Sequence, residues 1–405
     1  MRKYLLLTGV LLLAMFAVPA AASADLNFSG FGQFWYMYND YGSAANGTMT
    51  QISDSQFLLK RARLKMHGSI PGAEYITFFS QLDFVAGDSP RYMINAATGK
   101  NGTVGSTLPF GLQLDFYINY KIFEFLQIRA GQMTLPFGYE VGRSPYDLEL
   151  ITYSLVYGNG QTYAGKKLGF FPYLRDLGVY VHGDYKGFNY RIGLVNGQGL
   201  TQADSIILGG NKWKDVVGRV GYNYELKNEK NPIKSLKLNA GLSAYYGVEG
   251  NYDDSAKDTS KYRIGFDVKL DWYNLLVVAE YVWGQTEMKS PGSTAAEWTF
   301  VPLKQYGAYL TAGYTIIGKI QPMIRFDYWS TEAFKNKTTG DLKVEGYWAV
   351  TAAVNYIFSK NAKLTLMYER LFPNDRAEVL YTNFKNSKQQ PIIEDQLILQ
   401  AAVAF

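Results

Sequence analysis

After Asp25 the sequence has no run approaching the ~20 apolar residues that a membrane-spanning helix needs. It consists instead of sixteen segments, each of about 10–13 residues, in which apolar and polar residues alternate. Side chains alternate across a strand, so each segment has one oily and one polar face. The clearest places Leu112, Leu114, Phe116, Ile118 and Tyr120 against Gln113, Asp115, Tyr117, Asn119 and Lys121. Another sets Tyr262, Ile264, Phe266, Val268 and Leu270 against Arg263, Asp267, Lys269 and Asp271.

The connections decide between a soluble sandwich and a membrane barrel. Those after even-numbered segments are short: residues 69–72, 123–124, 186–187, 271–274, 318–319 and 359–361, with 227–234 somewhat longer. Those after odd-numbered segments are long and polar: 39–54, 87–107, 134–174, 197–211, 247–260, 285–304, 330–343 and 372–392. A sandwich has no reason to separate its loops in this way. An even-stranded outer-membrane barrel does, with short turns on the periplasmic side and long loops outside. The expectation is an all-β fold, a transmembrane antiparallel barrel of about sixteen strands.

The apolar phase fits a lipid-facing surface. Tyr36, Tyr38, Tyr281, Trp283 and Tyr328 form an expected outer aromatic girdle, and Tyr222, Tyr224, Trp272, Tyr314, Tyr356 and Phe405 an inner one. Lys60, Arg370 and Asp395 share that phase near the long-loop ends, where long side chains reach headgroups.

Arg2 and Lys3, the apolar run 5–18 and Ala22-Ser23-Ala24 read as a signal peptide over residues 1–24, leaving a barrel domain over 25–405. An anchoring helix is the alternative. Cysteine is absent, which excludes disulfides and thiolate metal sites. The net charge of +5, or 38 − 35 = +3 without Arg2 and Lys3, is too mild for a nucleic-acid partner. His67 and His182 are the two histidines, and no nucleophile-elbow or metal-binding pattern accompanies them, so no enzyme and no cofactor is expected. Asn251, Asp253, Asp254 and Asp258 read as a solvated acidic loop, with a calcium site as the alternative.

Residues 57–67 carry the sharpest functional signal. At period two, Arg61, Arg63, Lys65 and His67 stand in one column, opposite Leu58, Lys60, Ala62, Leu64 and Met66. Successive cations lie ~7 Å apart along the strand. An anion passes along such a column without being trapped. Lys121, Arg129 and Arg191 extend the basic wall. In the alternative, Asp83, Asp115, Asp176 and Asp184 neutralise these cations as structural pairs. The longest loop, 134–174, is expected to fold into the barrel as a constriction loop, carrying Glu140, Arg143, Asp147, Glu149, Lys166 and Lys167. The alternative places it over the mouth or on a neighbouring subunit.

Four blocks stand out together: Lys60-Arg61-Ala62-Arg63-Leu64, residues 131–140 (Gly-Gln-Met-Thr-Leu-Pro-Phe-Gly-Tyr-Glu), Arg175-Asp176-Leu177-Gly178-Val179, and residues 190–197 (Tyr-Arg-Ile-Gly-Leu-Val-Asn-Gly). In these blocks the chain resembles the phosphate-selective porin O and P family. The resemblance implies a sixteen-stranded homotrimeric porin whose third loop folds inward. Met133 and Thr134 stand where the family pattern has an aromatic–lysine pair, so phosphate specificity does not transfer residue by residue.

The reading is a passive diffusion channel in the bacterial outer membrane for small hydrophilic solutes, with a preference for anions such as phosphate. Its expected partners are outer-membrane lipids, small anionic or polar solutes, copies of itself, and the barrel-assembly machinery through the C-terminal Phe405. Two alternatives stand beside it. One is a neutral-solute, sugar-type channel stacking its cargo on Tyr117, Tyr180, Tyr245, Tyr309 and Trp329; the other is a non-conducting adhesion barrel.

Overall fold

The computed structural model describes residues 25–41, 52–85, 112–158, 162–163, 166–167, 170–171, 174–197, 199, 213–231, 235–251, 254–287, 298–336, 342–373 and 393–405. The expected signal peptide, residues 1–24, lies outside them. Sixteen antiparallel strands close into one barrel. They are β1 (Asn27–Tyr41), β2 (Ile52–Ile70), β3 (Ala73–Asp83), β4 (Leu112–Phe123), β5 (Leu126–Thr134), β6 (Arg175–Tyr185), β7 (Phe188–Val195) and β8 (Asp215–Leu226). Then come β9 (Leu236–Asn251), β10 (Asp254–Trp272), β11 (Leu275–Thr286), β12 (Trp298–Tyr314), β13 (Ile320–Asn336), β14 (Leu342–Ser359), β15 (Ala362–Pro373) and β16 (Ile393–Ala404).

Each strand pairs with its sequence neighbours, and β16 returns to β1. At that seam Gly30 and Phe405 exchange backbone hydrogen bonds of 3.1 and 3.0 Å. The short turns have the backbone they need: Lys186 and Gly187 both have positive φ (49° and 88°), the two-residue turn whose twist matches a hairpin.

The surface is inverted relative to a soluble protein. Phe34, Phe57, Ile192, Leu242, Phe266 and Leu366 are exposed on the outside, while Gln33, Asp267, Arg325 and Gln400 are buried within. Among the described residues no helix is long and apolar enough to cross a membrane. The chain crosses with strands, and its outer face is solvated by lipid.

Two expectations need correction. Lys60 is the extra residue of a β-bulge, because Gln33 pairs with Arg61 while Phe34 pairs with Leu59. The bulge flips the phase of the strand. Phe57 and Leu59 therefore face outward with Leu64, Leu58 packs against the buried cluster, and the Lys60 ammonium sits 4.9 Å from the ring of inward-facing Trp35. Lys60 thus does not reach for headgroups. Segments 247–260 and 330–343 are also not simply loops. β9 pairs with β10 as far as Asn251 and Asp254, and β13 runs to Asn336. The apolar half of the pattern ends where lipid ends, whereas backbone pairing continues into water.

Candidate functional site: a half-lined lumen

The segment between β5 and β6 lies inside the barrel. Its ends are tied by Leu135 N–H donating to Leu174 O at 2.9 Å. From there it runs along one side of the wall. Gly138 N–H donates to Ser243 Oγ (2.9 Å) on β9, and Leu155 N–H to Asp327 Oδ1 (3.2 Å) on β13. Asn355 on β14 donates to Glu149 O at 3.3 Å, and Gln33 on β1 to Pro145 O at 3.2 Å. Phe137, Ile151, Leu155, Val156 and Phe170 are buried between segment and wall, in one cluster with the inward-facing Val278, Val282, Met323 and Ile398. Apolar burial thus fixes the segment to the β9–β1 half of the wall.

Charged anchors reinforce that contact. Arg325 is 1 % exposed and meets three carboxylates: Asp327 (2.5 Å), Glu369 (3.5 Å) and Glu140 (3.7 Å). It also donates to Thr152 O at 2.9 Å. Glu140 accepts from Ser154 N–H at 2.9 Å. Glu280 accepts from the Tyr157 hydroxyl, from Tyr309 Oη (3.0 Å) and from Tyr139 N–H (3.3 Å). Burial pushes the Glu140 carboxyl up to about 7, with the neighbouring Arg325 pulling the other way. Burial and then Glu280 drive the Tyr157 hydroxyl far above its ordinary value, so it remains a donor.

The hydrogen bonds just named between segment and wall all go to the β9–β1 half, and the β2–β8 half carries the basic residues singled out in the sequence. Arg61 is buried and donates from Nη1 to Gln33 Oε1 at 2.8 Å. Arg63 pairs with Asp83 at 2.8 Å. Lys65 has no ion-pair partner among the described residues; its ammonium stands 5.5 Å from the Phe31 ring. His67 is exposed near the short-turn rim. Lys121, at the same rim, is tied to Glu124. Arg129 lies 4.3 Å over the Tyr117 ring and donates from Nε to Asn119 Oδ1 at 3.4 Å. Arg191 neighbours Arg219 and His182 in register and has no ion-pair partner among the described residues.

The column is therefore not uniform. Arg61 and Arg63 are engaged by the wall, whereas Lys65, Arg129 and Arg191 form no ion pair among the described residues. The acidic side chains divide in the same way. Asp83 takes Arg63, Asp115 takes Arg175 (3.0 Å), and Asp176 accepts backbone N–H groups from Leu177, Gly197 and Gly199. Arg219 chelates Asp267 two strands away, lying flat over Gly241, where an added Cβ would come within 2.2 Å of Nη2.

Within the inward segment, Glu140 is buried beneath it. Arg143 lies 5.0 Å over the Tyr139 ring. Glu149 accepts from the Tyr139 hydroxyl at 2.6 Å and meets Lys269 at 3.7 Å. Asp147 is exposed. Lys166 and Lys167 pair with Thr162 and Tyr163; their side chains lie outside the described residues, as do the side chains of Asn251 and Asp254 and the whole of Asp253. No metal-holding cluster occurs among the described residues, where Asp258 accepts from Trp213 Nε1 at 2.9 Å.

The anchors Glu280, Arg325, Asp327 and Glu369 were not singled out from sequence. A usable signal exists: Val278, Val282, Met323 and Ile398 are apolar in the phase that should face water. Something apolar had to cover them.

No family model and no curated protein matches the sequence. Among solved structures the barrel is similar to an anion-selective porin from Comamonas acidovorans, with a TM-score of 0.58 and 14 % identity over 95 % of this chain and 100 % of that one. It is also similar to the outer-membrane channel DcaP of Acinetobacter baumannii (TM-score 0.57, 12 % identity, 96 % and 99 % covered). A third similar structure is the trimer form of OmpT, an outer membrane protein of Vibrio cholerae (TM-score 0.53, 11 % identity, 94 % and 99 % covered). The fold is the outer-membrane porin fold. At these identities that is all the likeness carries.

Proposed function

We propose that this chain is a passive diffusion channel of the bacterial outer membrane, selective for small anions. One observation carries the reading: Lys65, Arg129 and Arg191 stand on the β2–β8 half of the lumen wall with no carboxylate paired to them among the described residues. Unpaired guanidinium and ammonium groups in a wet passage concentrate anions and let them exchange from one to the next. The solute gradient supplies the driving force, and no catalytic step is involved. Phosphate is the anion to test first, given the resemblance to phosphate-selective porins. The likeness to a trimeric porin structure favours a homotrimer, and Phe405 remains the proposed handle for barrel assembly.

A sugar-type channel is the less favoured reading. Of its five candidate stacking surfaces, Tyr180, Tyr245, Tyr309 and Trp329 are buried, Tyr309 is committed to Glu280, and Tyr117 is half-buried with Arg129 4.3 Å over its ring. Planar-bilayer conductance in chloride, phosphate and sulfate salts tests the proposal against both rivals. An anion channel conducts in all three and favours the anion over its counter-ion. A sugar channel shows no anion bias and is blocked by sugars, and an adhesion barrel passes no current.

A further inference from the structure

At the tip of the inward segment, four consecutive carbonyl oxygens accept hydrogen bonds from side chains. Gln33 donates to Pro145 O at 3.2 Å. Lys363, on β15, donates from Nζ to Tyr146 O at 2.8 Å and to Leu148 O at 3.2 Å. Arg143 donates from Nη2 to the carbonyl between them, Asp147 O, at 2.9 Å. The turn is closed by Asp147 N–H donating to Ser144 O at 2.8 Å. The Tyr146 hydroxyl donates to Lys360 O at 3.3 Å, and its ring rests 5.9 Å from Phe31. A turn whose carbonyls are satisfied by side chains of the wall and of the segment itself is held in one conformation.

What this turn presents is the Asp147 side chain. It is exposed in the lumen and has no hydrogen bond or ion pair among the described residues. Phe31 links it to the basic wall, since its ring is 5.9 Å from that of Tyr146 and 5.5 Å from the Lys65 ammonium.

We propose that Lys363 is a positioning residue for ion selectivity: by gripping the carbonyls on either side of Asp147, it holds that carboxylate beside Lys65, where it opposes the basic wall. Lys363 lies under the segment and is engaged by two carbonyls, so it acts through Asp147 and not by touching the solute. The carboxylate is the counter-charge that keeps the passage from trapping anions. A loosened tip would let it swing away and would leave Lys65 unopposed.

The proposal rests on the channel reading, and the test separates the two. In the parent barrel, Asp147→Asn should raise the anion-to-cation permeability ratio about twofold, the effect of one unit charge acting across several ångströms of water. In a Lys363→Met background the same change should have almost no effect, and Lys363→Arg should restore it. Equal effects of Asp147→Asn in all three backgrounds would overturn the proposal. A second readout needs no current. The chain has no cysteine, so spin labels on Asp147→Cys and Lys65→Cys report one distance. That distance should be narrow with Lys363 or Arg and broad with Met; equal widths would also overturn the proposal. Absence of conductance in every variant would refute the channel reading alone, since the label distances would still judge Lys363.

Discussion

Arg63 Nε lies 2.8 Å from Asp83 Oδ2, with both side chains 2 % exposed, so a residue of the basic column is held in an ion pair sealed from the lumen. Asp83 also accepts from Val85 N–H at 3.1 Å. Breaking a buried pair leaves an uncompensated charge. Arg63→Ala should therefore destabilise the barrel by about 3 kcal/mol while barely changing selectivity. Denaturant unfolding in detergent, followed by a zero-current potential on the same variant, checks both halves.

Glu140 makes the seating of the inward segment depend on pH. It faces Arg325 and Asp327 on β13, Glu369 shares that arginine from β15, and Glu280 of β11 and Glu149 of the segment lie nearby. Its carboxyl is raised from 4.5 to about 7, so the seated form binds the proton more tightly than the released form. This contribution is full below 4.5 and is lost as pH rises through about 7. Open-channel current noise should therefore increase from about pH 6 to about pH 8.5, and Glu140→Gln should flatten the rise. A rise unchanged in Glu140→Gln would assign the effect to another group.

Gly241 is required by its neighbour and not by its own backbone. The Arg219 guanidinium lies where a Cβ would sit, 2.2 Å from Nη2. Gly241→Val should push Arg219 off Asp267, a side chain with no exposure. The expected cost is about 2–3 kcal/mol, read from thermal unfolding. Gly32, which has nothing within 4 Å of such a Cβ, should tolerate alanine and serves as the control.

Much of the architecture was legible because lipid and water impose opposite demands on alternate residues. The outward phase of Ile118 and Tyr120 and of Tyr262 to Leu270, the short turn at Lys186 and Gly187, and the strand count follow from that alternation, whereas Leu114, expected on the oily face, is buried where a register shift pairs Gln81 with Asp115 but Leu82 with Gln113. The Lys60 bulge was not legible, because one inserted residue flips the phase and leaves both readings of residues 57–60 plausible by pattern. The outer extensions of β9 and β13 were hidden for a related reason: where neither face meets lipid, the pattern disappears while the ladder persists. At the site, the pattern picks out basic residues but not which of them neighbouring strands engage. That engagement depends on partners such as Gln33 and Asp83, which lie on neighbouring strands and are brought into reach only by register.

The zero-current potential of single barrels in a potassium chloride gradient tests the central claim most directly. Lys65, Arg129 and Arg191 form no ion pair among the described residues, so the account predicts a potential of anion-selective sign that falls severalfold towards zero in Arg129→Gln/Arg191→Gln and changes little in Arg63→Ala. A potential near zero in the parent protein, or one that follows Arg63 and ignores Arg129 and Arg191, would contradict it.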